Sequence, residues 1–130
     1  MSVSSTKDMP LILVVDDYED IRLTLKIWLE KRGYRVLEAE NGPDAVEIAR
    51  RERPALIILD IFMPKVDGFA TARRIREFEA LRQVPIIAVS AHDTLDLQSA
   101  ALAAGCNEFI NKPHDLEQLE MLIERFLRRS

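Results

Sequence analysis

The chain has 130 residues, 48% hydrophobic and 31% charged, with a formal net charge of −4. That balance fits one folded domain with a single core, and it argues against a surface that grips nucleic acid through excess Lys and Arg. No apolar run nears the roughly 20 residues that cross a bilayer, Met1 to Met9 lack the apolar segment of a secretory signal, and the single cysteine, Cys106, excludes an intramolecular disulfide and CxxC motifs.

A cytoplasmic location, with no membrane and no direct nucleic-acid partner, is therefore expected. Residues 1–9 read as a flexible tail and residues 10–130 as the folded domain. The first predicted strand is Leu11 to Asp16. A helix follows from about Glu19 to Arg32, with Ile21, Leu25, Trp28 and Leu29 at helical spacing, and Gly33 is placed to end it with left-handed backbone. The second strand is about Arg35 to Ala39. Asn41-Gly42-Pro43-Asp44 then opens a second helix that carries Ala45, Ile48 and Ala49 and stops before Pro54. The third strand is Leu56 to Asp60, followed by a loop through Asp67. Gly68 leads into a third helix with Phe69, Ala72 and Ile75 facing inward. The fourth strand is Pro85 to Val89, and the alanine-rich fourth helix runs from about Leu95 to Ala104. The fifth strand is about Asn107 to Ile110. A fifth helix begins near Asp115, its buried stripe made of Leu116, Leu119, Ile123, Phe126 and Leu127.

Alternating strands and helices favour a parallel sheet covered on both faces, and apolar runs of four or five residues read as strands buried on both sides. Right-handed crossovers give a single doubly wound α/β domain, flavodoxin-like, with five strands in the order 2-1-3-4-5 and five helices. Its switch point falls between strands 1 and 3. Asp16-Asp17, Asp60, Ser90 and Lys112 each follow or end a strand, so parallel strands would bring three carboxylates, a hydroxyl and an ammonium to one cleft. Such a set can hold a divalent metal, attack a phosphoryl group and sense the product.

Asp16-Asp17, the run from Asp60 through Met63-Pro64 to Asp67-Gly68, Ser90-Ala91 and Lys112-Pro113 together resemble the receiver domain of two-component response regulators, from about Pro10 to Leu127. The resemblance implies that Asp60 accepts a phosphoryl group from a sensor histidine kinase or a histidine phosphotransfer protein. It implies that Asp16, Asp17, Asp60 and the backbone carbonyl of Phe62 surround Mg²⁺, with Asp17 and Asp60 binding directly and Asp16 mainly through water. Lys112 would hold the phosphoryl oxygens, aimed by a cis peptide before Pro113. Ser90 and Phe109 match the family's switch pair and would pass the signal to a surface made by the fourth helix, fifth strand and fifth helix, where an unknown downstream protein binds.

Phe62 and His92 occupy positions that in the family flank the hydrolytic water. A bulky Phe62 would lengthen the life of the phosphoryl group, and His92 could oppose that. His114 stands where an apolar aromatic is common. The expected protein is a signalling receiver rather than an enzyme, and the helix that ends near the C-terminus suggests a receiver without an attached output domain. Two other classes remain open. A Mg²⁺-dependent aspartate-nucleophile phosphohydrolase uses a similar residue set, but places its nucleophile after the first strand in an Asp-x-Asp pattern, where this chain has Asp16-Asp17-Tyr18. A flavin module on the same fold would need a Ser/Thr/Gly-rich phosphate loop after strand 1.

Overall fold

The computed structural model describes residues 9–61, 67–91, 95–111 and 116–127. Five strands, β1 (Leu11–Val15), β2 (Arg35–Ala39), β3 (Leu56–Asp60), β4 (Ile86–Ser90) and β5 (Glu108–Asn111), alternate with five α-helices. These are α1 (Glu19–Glu30), α2 (Gly42–Glu52), α3 (Gly68–Arg76), α4 (Leu95–Ala103) and α5 (Leu116–Leu127), with a short 3-10 turn at Glu79–Leu81. All pairings are parallel, in the order β2-β1-β3-β4-β5, which is the doubly wound order the alternation predicts.

Strand alternation divides the core in two. Leu13, Val15, Ile57, Leu59, Ile86 and Ala88 pack on Ala45 and Ala49 of α2, Ala72 and Ile75 of α3, and Ala101 of α4. Ile12, Val14, Ile58, Ile87 and Val89 pack on Leu29 of α1 and on Leu119, Leu122 and Ile123 of α5. The central strands β3 and β4 are buried at every residue, which explains their unbroken apolar runs; at the edges, β2 and β5 include exposed positions.

Caps set the helix ends. The Asn41 side chain accepts a hydrogen bond from the Asp44 amide at 2.8 Å, and Asp67 accepts one from the Phe69 amide at 2.9 Å, each satisfying an orphan donor of a first turn. Gly33 (φ 92°) and Gly105 (φ 108°) both take the left-handed conformation expected after a helix. Arg53 is left-handed without glycine's freedom (φ 49°) and caps α2, its amide donating to the Ala49 carbonyl at 2.9 Å. The differences from the sequence reading are at boundaries. α1 ends at Glu30, two residues before the predicted end, β4 and β5 are shifted one residue later, and Leu122 joins the buried stripe of α5.

Cys106 is 5% exposed, and burial pushes its thiol up to about 11, although the Arg76 guanidinium opposes that. The sequence offers no cationic neighbour for this cysteine; the fold supplies one, and desolvation still wins. The sign follows from linkage: a thiol whose folded pKa is raised contributes stability that is fully present below its ordinary value and lost as pH rises through the folded one. Wild type should therefore lose stability relative to Cys106→Ala between about pH 9 and about pH 11, read as converging urea midpoints. Parallel midpoints across that range would contradict the burial.

Candidate functional site

The carboxyl edge of the sheet carries the acidic cluster. Val15 pairs with Leu59 and Asp60 with Val89, so Asp16 leaves β1 level with Asp60. The Asp16 amide still bonds the Ala39 carbonyl at 3.1 Å, continuing the ladder one residue beyond β1. Asp16 and Asp60 are 1% and 2% exposed. One Asp16 carboxylate oxygen accepts the Tyr18 amide at 2.9 Å, a local turn that fixes the side chain.

Carboxylate oxygens of Asp16, Asp17 and Asp60 lie within 4.8 Å of one another. Three like charges at that distance in a partly desolvated pocket repel strongly. Asp17 Oδ1 is buried and has no hydrogen-bond partner among the described residues, a costly state for a charged acceptor. A hard divalent cation resolves both problems, since it takes oxygen ligands and neutralises the excess charge. The residues present thus fit Mg²⁺, and among the described residues no His or Cys belongs to the cluster to favour a softer metal.

Arg22, which the sequence reading did not single out, positions this cluster. From α1 its Nη1 donates to the Asp16 carbonyl at 2.9 Å, while Nε pairs with Glu38 of β2 at 3.1 Å. It thereby anchors the backbone of the acidic pair through the Asp16 carbonyl. The available signal was a basic residue in the first turns of the helix that follows two acids.

Ser90 ends β4, is fully buried and sits opposite Asn111 of β5. Phe109 is half-buried on β5, opposite Ala88, and packs against the core layer of α2, α3 and α4. Gly68, at the start of α3, is pressed onto the chain just after Asp60: a Cβ there would lie 2.3 Å from Ile61 Cα and 2.8 Å from the Asp60 carbonyl oxygen. Asp16, Asp17 and Asp60 are thus brought together as expected, with Ser90 on the same sheet edge. Phe62, His92, Lys112, Pro113 and His114 lie outside the described residues.

A family model described as the response regulator receiver domain matches residues 12–124. The chain belongs to that family. It is 37% identical over 123 residues to the transcriptional regulatory protein AfsQ1 of Streptomyces coelicolor, covering 94% of this chain and 53% of AfsQ1. Among solved structures it resembles chemotaxis protein CheY4 of Vibrio cholerae, with TM-score 0.87, 28% identity, and 92% and 99% of the two chains covered. It also resembles the receiver domain of a Pseudomonas aeruginosa sensor histidine kinase solved with magnesium in its active-site cleft, with TM-score 0.83, 33% identity, and 91% and 97% covered.

The receiver chain spans about half the length of AfsQ1 and of the other transcriptional regulators it matches. This corrects the expectation of no nucleic-acid partner: relatives are named as transcriptional regulators, one of them DNA-binding, and the net charge of these residues speaks only for these residues. No helix among the described residues is long and apolar enough to cross a membrane.

Proposed function

We propose that Asp60 is the phosphoryl acceptor of this receiver domain and that Asp16 and Asp17 complete its Mg²⁺ site. The observation that carries this reading is the convergence of three carboxylates on one sheet edge, at the position where doubly wound folds carry their sites. A histidine kinase or a histidine phosphotransfer protein is the donor. In the transfer, the P–N bond of the donor's phosphohistidine breaks with its electron pair going to the imidazole, while an Asp60 oxygen forms the new P–O bond. Such transfers depend on positioning and charge neutralisation more than on acid or base groups.

When bound, Mg²⁺ offsets the negative charge of the acids and the incoming phosphoryl oxygens. Asp17, whose inner oxygen is buried and unpartnered among the described residues, is assigned as a direct ligand with Asp60; Asp16, tied to the Tyr18 amide, acts mainly through water, and the Phe62 carbonyl completes the set. Asn111 pairs with Ser90, so the chain leaves β5 at the same edge, which supports Lys112 as the cation that holds the phosphoryl oxygens. Ser90 hydrogen-bonds the bound phosphoryl group, and Phe109 moves with it. Phe62 and His92 set the lifetime of the acyl phosphate. The change is read by a protein partner on α4, β5 and α5, and the location is cytoplasmic.

Incubation with acetyl phosphate and Mg²⁺ should give one hydroxylamine-sensitive phosphoryl group per chain, mapped to the peptide that contains residue 60. Label on Asp16 or Asp17, or steady release of phosphate from simple esters without a stable adduct, would instead favour the phosphohydrolase. Metal binding is checked separately. At ten times its dissociation constant Mg²⁺ should stabilise the fold by about 1.4 kcal/mol, raising the melting temperature by roughly 3–6 °C. Asp17→Asn should remove most of that shift; an unchanged shift would remove Asp17 from the ligand set.

A further inference from the structure

α4 is held very differently at its two ends. Among its residues only Ala101 is buried, Leu97 and Gln98 are half-buried, and Leu95 in the first turn is 79% exposed, so no large side chain of the helix is fully buried against the sheet. Its C-terminal end, by contrast, is a complete Schellman cap: the Cys106 amide bonds the Ala101 carbonyl at 2.9 Å and the Gly105 amide bonds the Leu102 carbonyl at 3.0 Å.

Arg76, the last residue of α3, locks that cap. Its Nε and Nη2 both donate to the Gly105 carbonyl, at 3.0 and 2.8 Å. Nη2 also reaches Asn107 Oδ1 at 2.9 Å, and the same Oδ1 accepts the Ile86 amide of β4 at 2.8 Å. Nη1 donates to the Leu81 carbonyl at 2.7 Å. One planar guanidinium therefore joins the end of α3, the 3-10 turn, the α4 cap and, through Asn107, the start of β4. Charge-assisted bonds of this kind are about twice as strong as neutral ones, and lysine cannot reproduce the fork.

We propose that Arg76 is a positioning residue that pins the C-terminal end of α4, so that switching swings the helix about Gly105 instead of sliding it along the sheet. The proposal rests on the receiver reading of Asp60 and Ser90. The moving end is the N-terminal turn, five residues beyond Ser90 in the chain, and the exposed Leu95 is what it carries. A helix with a fixed end and a small-residue body converts a local pull near Ser90 into rotation of an apolar face, while its far end stays in register with β5.

The test is hydrogen exchange on the whole chain with Mg²⁺, with and without beryllofluoride, together with labelling of the single native thiol by an uncharged disulfide reagent. In wild type, beryllofluoride should change exchange in the first turns of α4 and leave the Gly105 and Cys106 amides unchanged. In Arg76→Met the change should spread to both amides, and Cys106 labelling should quicken about tenfold, with or without beryllofluoride, as the cap opens locally. Arg76→Lys should fall between. Unchanged Cys106 labelling in Arg76→Met, or wild-type cap amides that respond as strongly as the first turn, would overturn the pin. If Arg76→Met speeds every amide alike, it has unfolded globally, and Arg76→Lys decides by the same two readouts. If beryllofluoride alters no amide in wild type, the acceptor reading of Asp60 fails, while Cys106 labelling still judges the clamp.

Discussion

Asp60→Asn should lose phosphoryl uptake from acetyl phosphate by at least about a thousandfold, the scale on which removing a covalent nucleophile acts. The amide is nearly isosteric with the carboxylate but is a poor nucleophile, so the change removes chemistry and leaves shape. Asp60 is 2% exposed and shares its pocket with Asp16 and Asp17. Neutralising it relieves repulsion among three carboxylates, and the melting temperature without metal should stay level or rise. That combination of a lost reaction and an intact or firmer fold separates a nucleophile from a structural carboxylate. Uptake at the wild-type rate in Asp60→Asn would end the assignment. Ser90→Ala is the matching control: in the proposed reading Ser90 senses the phosphoryl group and does not attack it, so the variant should still take up the label while the beryllofluoride response of α4 fades.

The inner strands were legible because β1, β3 and β4 are short apolar runs closed by a polar residue, as strands buried on both faces must be. Their order alone places Asp16, Asp17 and Asp60 on one edge. Helix limits were less legible. Gly33 marks the turn after α1, yet Lys31 and Arg32 precede it outside the helix, since the choice between a last helical turn and a cap depends on hydrogen bonds that residue types alone do not reveal. Arg22, with only a weak signal, and Arg76, with none, were hard to read for a related reason. Each acts through backbone carbonyls, Asp16 for one and Gly105 and Leu81 for the other, and a carbonyl has the same chemistry whatever residue bears it. The burial of Leu122 beside Leu119 and Ile123 shows a wider apolar stripe on α5 than a strict repeat suggests, because β1, β3 and β4 all contribute to the surface it covers.

Gly68→Ala should lower stability by about 3 kcal/mol or more, at or beyond the upper end of ordinary overpacking, and the melting temperature by roughly 10 °C or more. The physical reason is that the added methyl would meet backbone and not a side chain. It would lie 2.3 Å from Ile61 Cα, 2.8 Å from the Asp60 carbonyl oxygen and 3.0 Å from the Ile61 carbonyl carbon. A side chain could rotate away, but these atoms belong to the central strand and to the turn that follows it. The Ile61 amide is bonded to the Val89 carbonyl at 3.1 Å, so the turn cannot retreat without opening the β3–β4 ladder. The alternative is for α3 to shift outward, and that would break the 3.3 Å bond from the Gly68 amide to the Ile61 carbonyl and loosen Ala72 and Ile75, both fully buried. Either route disturbs the backbone that carries Asp60, so phosphoryl uptake should fall along with the melting temperature, unlike the pattern for Asp60→Asn. A Gly68→Ala protein that melts within about 2 °C of wild type would mean that α3 does not press on the acceptor strand, and the rigidity assigned to this corner of the site would have to come from elsewhere.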